Sequence, residues 1–290
     1  MEKCMLSRNL KLLMHGDDVG EVKKELYVRG YLTKYSHDLF GYDTLRAVKA
    51  FQSANGLEAD GIVGPLTYAA LFEEPSVTDS TYYLIPDSFS EETRRAIANE
   101  LDTVSKTRQA ICIHALEYAV DPAKHPDMKC FYVRGGNLFN TDLSENKMTE
   151  AKLKKYFSKA AYAPYYDNGR KEVMQEIAEA SGYSIPGADC SGFIVGLWRY
   201  AKVVKSTFDA TANSLYNSYC VPVTDPKPGD LAWKSGHIGI YVGGGLVVEC
   251  AGGEFGVQVS GKKTRYIYSY TLKKKRNLSP WKAFGDPKVY

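Results

Sequence analysis

The chain lacks most of the features by which common function classes are recognised. Its six cysteines (Cys4, Cys112, Cys130, Cys190, Cys220 and Cys250) include no C-x-x-C pair. That spacing excludes a zinc knuckle and a dense disulfide framework and suits mostly free thiols in a reducing compartment. No apolar run is long enough to span a bilayer or to form the core of a signal peptide, so the expectation is a protein made in the cytoplasm without a leader. Charge of one sign is also scarce. A net charge of +3 over 290 residues is too small to argue for nucleic acid. The run Lys273-Lys274-Lys275-Arg276 is compatible with an anionic polymer but reads first as a solvated basic face. Histidine occurs five times, at 15, 37, 114, 125 and 237. No set of metal ligands is visible among these groups, so neither metal nor cofactor is expected. What remains is an ordinary globular composition, long enough for two domains.

Residues 9–73 read as a compact three-helix unit. Asp17 or Asp18 can cap a first helix with Val19, Val22 and Leu26 on one face, and Gly30 ends it. Asp43 can cap a second with Leu45, Val48 and Phe51 inward, stopped at Asn55-Gly56. The turn ADGIVGP follows, with Pro65 suited to the first position of a third helix. Pro75, Pro86 and several Ser and Thr residues make 74–90 linker-like. Ser88 with Glu91 forms a capping box for a helix starting near Glu91. Helical pattern then runs to Val120, with a break near 102–106. After Cys190 the chain turns strand-like in DLAWKSG, HIGIYVG, LVVECAG, GVQVSG and RYIYSYTL. Helices followed by an antiparallel sheet make this an α+β domain.

The chemistry concentrates in two short stretches, ADCSGF at 188–193 and GHIGIYVGG at 236–244. Phe193, Ile194, Leu197, Trp198 and Ala201 recur at helical spacing, and Asp189 and Ser191 frame the helix start. Cys190 then lies in the first turn, where unpaired N–H groups and the helix dipole favour a thiolate. The same N–H groups can receive an oxyanion. His237 opens an alternating strand in which it shares a face with Gly239 and Tyr241. Gly239 leaves room there for a neighbouring group. A base of this kind needs a third group to fix its ring. Glu249, a carboxylate in the apolar run LVVECAG, is costly there unless paired, so an orienting role accounts for it.

Two family resemblances rest on these residues. HGDDVGEVKKEL with DTLRAVKAFQ and DGIVGPLT resembles the peptidoglycan-binding domain of cell-wall hydrolases, with Glu25 where glutamine is common. DCSGF at 189–193, PGDL at 228–231, GHIGIYVGGG at 236–245 and VVECAGGEFGV at 247–257 resemble the NlpC-type cell-wall cysteine peptidases. YVRGG at 132–136 is similar to that family's YVWGG segment. The second resemblance covers roughly residues 106–290, interrupted by an insertion at about 138–186. Many members carry His, Asn or Gln in the third position; Glu249 fits a subset similar to phage lysins.

The resemblance implies a papain-like α+β peptidase domain at 106–290, a peptidoglycan-binding three-helix domain at 1–74, and a linker with a helix at 75–105. It implies Cys190 as nucleophile, His237 as base and later acid, and Glu249 as orienter. Tyr132 would line the cleft, while Asp189 and Ser191 would border a pocket for the free amine of a stem peptide. The implied activity is a peptidoglycan hydrolase acting through a thioester, cutting stem-peptide amides next to γ-D-glutamate. Alternatives are an N-acetylmuramoyl-L-alanine amidase with the same Cys–His pair, or a wall-binding protein without activity. The expected partner is bacterial cell-wall peptidoglycan, with no nucleic acid and no membrane insertion. Action on the wall would follow phage lysis or secretion.

Overall fold

A computed structural model describes residues 8–35, 38–55, 57–72, 81–121 and 127–290. Cys4, His37, Gly56, Pro75 and His125 lie outside the described residues. The chain divides into two compact units, residues 1–80 and 81–290.

The first unit contains α1 (Asp17–Val28), α2 (Tyr42–Ala54) and α3 (Pro65–Phe72). Val19, Val22, Leu26, Val48 and Phe51 interlock in one apolar cluster with Leu10, Phe40, Val63 and Leu71, while Leu45 is only partly buried against it. The aspartates are not the caps. Gly16 and Gly41 occupy the N-cap positions without side-chain bonds. Asp17, Asp18 and Asp43 sit one step inside, in the first turns, where the positive end of the helix dipole still favours them. Gly30 follows α1 at φ +80°, a left-handed conformation that glycine adopts without steric cost. The turn between α2 and α3 is held by Gln52, which is 1% exposed. Its Nε2 donates to Asp60 (2.8 Å), the Ile62 carbonyl (3.0 Å) and Thr67 (3.0 Å), and its Oε1 accepts the Gly61 N–H (2.8 Å). A buried amide with both ends satisfied ties the AVKAFQ helix to the DGIVGPLT turn.

The second unit opens with α4 (Glu91–Leu101) and α5 (Lys106–Glu117). Ser90, rather than Ser88, caps α4 by accepting the Thr93 N–H, and Ser105 caps α5 by accepting that of Arg108. Next come β1 (Phe131–Tyr132), α6 (Glu150–Phe157), α7 (Ala163–Tyr166), α8 (Arg170–Ala180), β2 (Gly187–Ala188), α9 (Cys190–Tyr200) and α10 (Ala212–Tyr219). The strands β3 (Cys220–Val223), β4 (Leu231–Lys234), β5 (His237–Gly243), β6 (Leu246–Cys250), β7 (Val257–Gly261), β8 (Arg265–Ser269), β9 (Lys274–Leu278) and β10 (Ala283–Pro287) complete the chain.

Six strands form an antiparallel sheet in the order β3-β10-β4-β5-β6-β7. Helices first and an antiparallel sheet afterwards give the second unit the α+β architecture expected of a papain-like peptidase domain, and the small helical module precedes it in sequence. Alternation along β5 sends Ile238, Ile240 and Val242 into the main core with Phe193, Ile194 and Leu197 of α9. Tyr241 faces the other way, into a smaller cluster with Ala232, Val247 and Trp281. Asp230 of the PGDL turn is pinned by Arg108 of α5 at 2.8 Å. The segment containing α6, α7 and α8 has its own cluster, in which Leu153, Tyr156 and Met174 pack with Phe131 and Val133.

Candidate active site

Cys190 is the first residue of α9, and Asp189 is the N-cap. The Asp189 carboxylate accepts the Gly192 N–H (2.8 Å) and the Ser191 hydroxyl (2.9 Å) through one oxygen, and the Gly135 N–H (2.9 Å) through the other. These bonds fix the helix entrance and tie it to the YVRGG segment. Close approach requires Gly192, because a Cβ there would lie 1.9 Å from the Gly136 carbonyl oxygen.

The Cys190 sulfur lies 3.8 Å from the Gly236 carbonyl oxygen. The backbone N–H of Ile238 lies near enough to favour the thiolate. The thiol therefore sits against the peptide groups on both sides of His237. Burial pushes the Cys190 thiol up to about 11, the Asp189 charge adds to this, and N–H groups of Ile238, Ser191 and Cys190 itself pull it back. At neutral pH the resting sulfur is a thiol that needs a base at the moment of attack.

His237 uses Nε2 to hold Glu249 at 2.7 Å, which leaves Nδ1 free of that contact. Glu249 is fully buried and stands cross-strand from Gly239. It is not held by His237 alone. Arg265 of β8 donates to Glu249 Oε1 at 3.0 Å through Nε and to Oε2 through a second nitrogen. Burial pushes the Glu249 carboxyl up, but the hydrogen bonds and charges of His237 and Arg265 outweigh it and hold the group at about 2. An ionised carboxylate so held keeps an imidazole oriented.

Trp281 completes the arrangement. Its ring stacks on His237 at 5.4 Å and 9°, and the Arg265 guanidinium lies 4.5 Å from the Trp281 centroid. A Cβ on Gly239 would approach Trp281 to 3.1 Å, so the glycine makes room for the indole. Neither Arg265 nor Trp281 is apparent from the sequence. Their local surroundings, KKTRYI and LSPWKA, carry no motif, and only the unpaired look of Glu249 hinted at a buried cation.

Tyr132 is buried on β1, paired with Ala188 of β2. Its hydroxyl pKa is driven well upward by burial first and by nearby Cys190 next. Tyr165 of the inserted segment stacks on it at 5.8 Å and 24°. A groove of about 310 Å³ opens beside the helix entrance, lined by Gly135, Asn137, Asp189, Ser191, Asp209 and Thr211. Among the described residues no group of three or more His, Cys, Asp or Glu is placed to share a metal ion.

Residues 178–276 match the NlpC/P60 family. The chain carries an NlpC/P60-family, cysteine-peptidase-like domain. Residues 15–71 match a family described as "Putative peptidoglycan binding domain", so a peptidoglycan-binding module precedes it. The NlpC/P60 match spans Cys190, His237, Glu249 and Arg265 but begins after Tyr132 and ends before Trp281. Among curated proteins, an uncharacterized protein of Kitasatospora aureofaciens is 47% identical over 57 residues, covering 19% of this chain and 48% of the relative. A spore cortex-lytic enzyme of Halalkalibacterium halodurans is 41% identical over 56 residues, covering 19% of this chain and 17% of the relative. The chain thus spans less than half the length of the curated relatives it matches. The crystal structure of the Burkholderia AP3 phage endolysin aligns at 18% identity over 67% of this chain and 71% of that one. Its TM-score of 0.22 is too low to bear on fold or site.

Proposed function

We propose that this NlpC/P60 protein is a peptidoglycan hydrolase that cleaves stem-peptide amides with Cys190 as nucleophile. The observation that carries the reading is the seating of Cys190 at the start of α9 against the Gly236 and Ile238 peptide groups that flank His237, whose far nitrogen grips Glu249. On attack the sulfur bonds to the substrate carbonyl carbon and its proton passes to His237. The oxyanion is received by N–H groups at the α9 N-terminus. Collapse breaks the C–N bond, the leaving amine takes the proton from His237, and a thioester remains. Water then attacks, again giving its proton to His237, and C–S cleavage returns the thiol. Glu249 holds the ring through both transfers.

The family resemblance implies an endopeptidase that takes a stem peptide with a free amine and cuts next to γ-D-glutamate, and the groove beside Asp189 and Ser191 is the place for that amine. Asp189 has already spent three acceptor positions on Gly192, Ser191 and Gly135, leaving roughly one of about four for an ammonium. Tyr132, buried on β1, is not among the residues lining this groove. The peptidoglycan-binding module keeps the enzyme on its polymeric substrate by tethering, which makes the wall its place of action. Mass spectrometry of fragments released from purified sacculi by the wild type and by Cys190→Ala tests the reading. New fragments ending in γ-D-glutamate, absent with the variant, are expected. Fragments beginning with free L-Ala would assign an amidase instead, and release undiminished in the variant would rule out Cys190 as nucleophile.

A further inference from the structure

The net positive charge of the chain comes from one segment. Residues 255–285 contain eight basic residues and no Asp or Glu, whereas the rest of the chain has 29 basic and 34 acidic residues, a net charge of −5. Five of the eight lie in the β8–β9 ribbon, a two-stranded antiparallel sheet of its own. Lys274 to Asn277 are exposed without interruption, so β9 has no apolar face and exists as a strand through its pairing with β8.

The ribbon's cations divide by type. Its two arginines are committed to the domain, Arg265 to Glu249 and Arg276 to Glu254. Further bonds fasten it: Ser269 donates to Glu254 at 2.8 Å, and the Gln258 side chain of β7 binds the Tyr268 carbonyl (2.7 Å) and N–H (2.9 Å). The ribbon's exposed cations are mainly lysines. Lys273, Lys274 and Lys275 lie at the ribbon's tip, and Lys263 and Lys282 flank its base, all exposed. Exposed Tyr266 lies beside Lys275 on the strands between them.

Tip and base are separated by the length of a five-residue strand, about 17 Å. That exceeds the roughly 8 Å screening length of physiological salt, so a small anion meets one end only and a chain of phosphates can meet both. Lysine is a point charge without arginine's bidentate fork, which suits sequence-free phosphate contact better than the reading of base edges. We infer that the β8–β9 ribbon is a docking surface for a phosphodiester-linked anionic polymer of the cell wall, separate from the peptidoglycan-binding module. The choice of a wall polymer over nucleic acid rests on the proposed function.

The test uses the full chain carrying Cys190→Ala, so that binding is read without lysis. Its partners are Gram-positive walls before and after hydrofluoric acid has hydrolysed their phosphodiesters, and random-sequence duplex DNA. Co-sedimentation is expected to show tighter binding to native than to stripped walls. Lys263→Glu/Lys273→Glu/Lys274→Glu should lower affinity for native walls by about tenfold or more at low salt and flatten the log affinity against log salt slope by about 2. Binding to stripped walls, which reports the module, should not change. Equal binding of the parent to both walls overturns the inference, as does loss of DNA binding alone on charge reversal. The outcome is independent of whether the wild type releases muropeptides, so failure here and failure of the proposed activity are told apart.

Discussion

Arg265 is the buried cation on which the state of Glu249 depends, and Arg265→Met isolates its contribution. The substitution keeps much of the aliphatic stem and removes the guanidinium, leaving a fully buried carboxylate with His237 alone. Breaking a buried pair by removing one partner costs about 3–5 kcal/mol. For a unit of this size that corresponds to a melting temperature lower by roughly 6–20 °C. The pH dependence separates charge from packing. A carboxyl held at about 2 instead of its ordinary 4.5 contributes stability that is complete above the higher value and lost as pH falls through the lower one, about 3 kcal/mol in all. In Arg265→Met the share supplied by Arg265 is gone, while that of His237 remains. The gap between the two proteins should therefore shrink by about 1 kcal/mol between pH 6 and pH 3. Urea unfolding followed by far-UV circular dichroism at a series of pH values measures it. A deficit of the same size at pH 6 and pH 3 refutes the electrostatic account and assigns the loss to the missing side-chain volume.

Three further outcomes follow from the geometry. Gly192→Ala sets a methyl group against the Gly136 carbonyl oxygen, at 1.9 Å before any shift. It should cost at least about 1–3 kcal/mol and displace the helix entrance, read as a lower melting temperature together with loss of lytic rate. Because burial raises the Cys190 thiol to about 11, its alkylation by iodoacetamide should climb about tenfold per pH unit from pH 7 towards 10. A plateau already reached below pH 7 points instead to a preformed thiolate. Gln52→Ala strips four hydrogen bonds from the turn between α2 and α3. It should destabilise the first unit by about 2–4 kcal/mol, seen as earlier proteolysis within residues 8–72 while the second unit keeps its melting transition.

Local chemistry was legible where one element carries the whole signal. Asp189 next to Cys190 announced a helix entrance because capping involves only the first turn, and the alternation in HIGIYVG set the two faces of β5 because a strand's period is fixed. The cost of an unpaired glutamate in LVVECAG pointed to a partner without saying how many. His237 is one partner and Arg265 is the other, and the second comes from a strand whose sequence looks like any exposed hairpin. Trp281 escaped notice for the same reason. Strands without their own apolar pattern were also missed: β9, all polar, is paired through β8, and β10 inserts between β3 and β4 with the unpromising sequence AFGDP. The caps at Gly16, Gly41 and Ser90 differ from the expected residues by one or two positions, because several polar residues near each start can serve and tertiary contacts choose among them.

The central claim is that Cys190 forms the covalent intermediate. Acid quenching of the full-length protein during turnover on sacculi, followed by peptide mass mapping, tests it directly. The account predicts that the peptide containing Cys190 gains the mass of the released stem-peptide acid less water, and that His237→Ala abolishes this adduct. An adduct on any other residue, or fragment release that continues with the Cys190 peptide never modified, would contradict it.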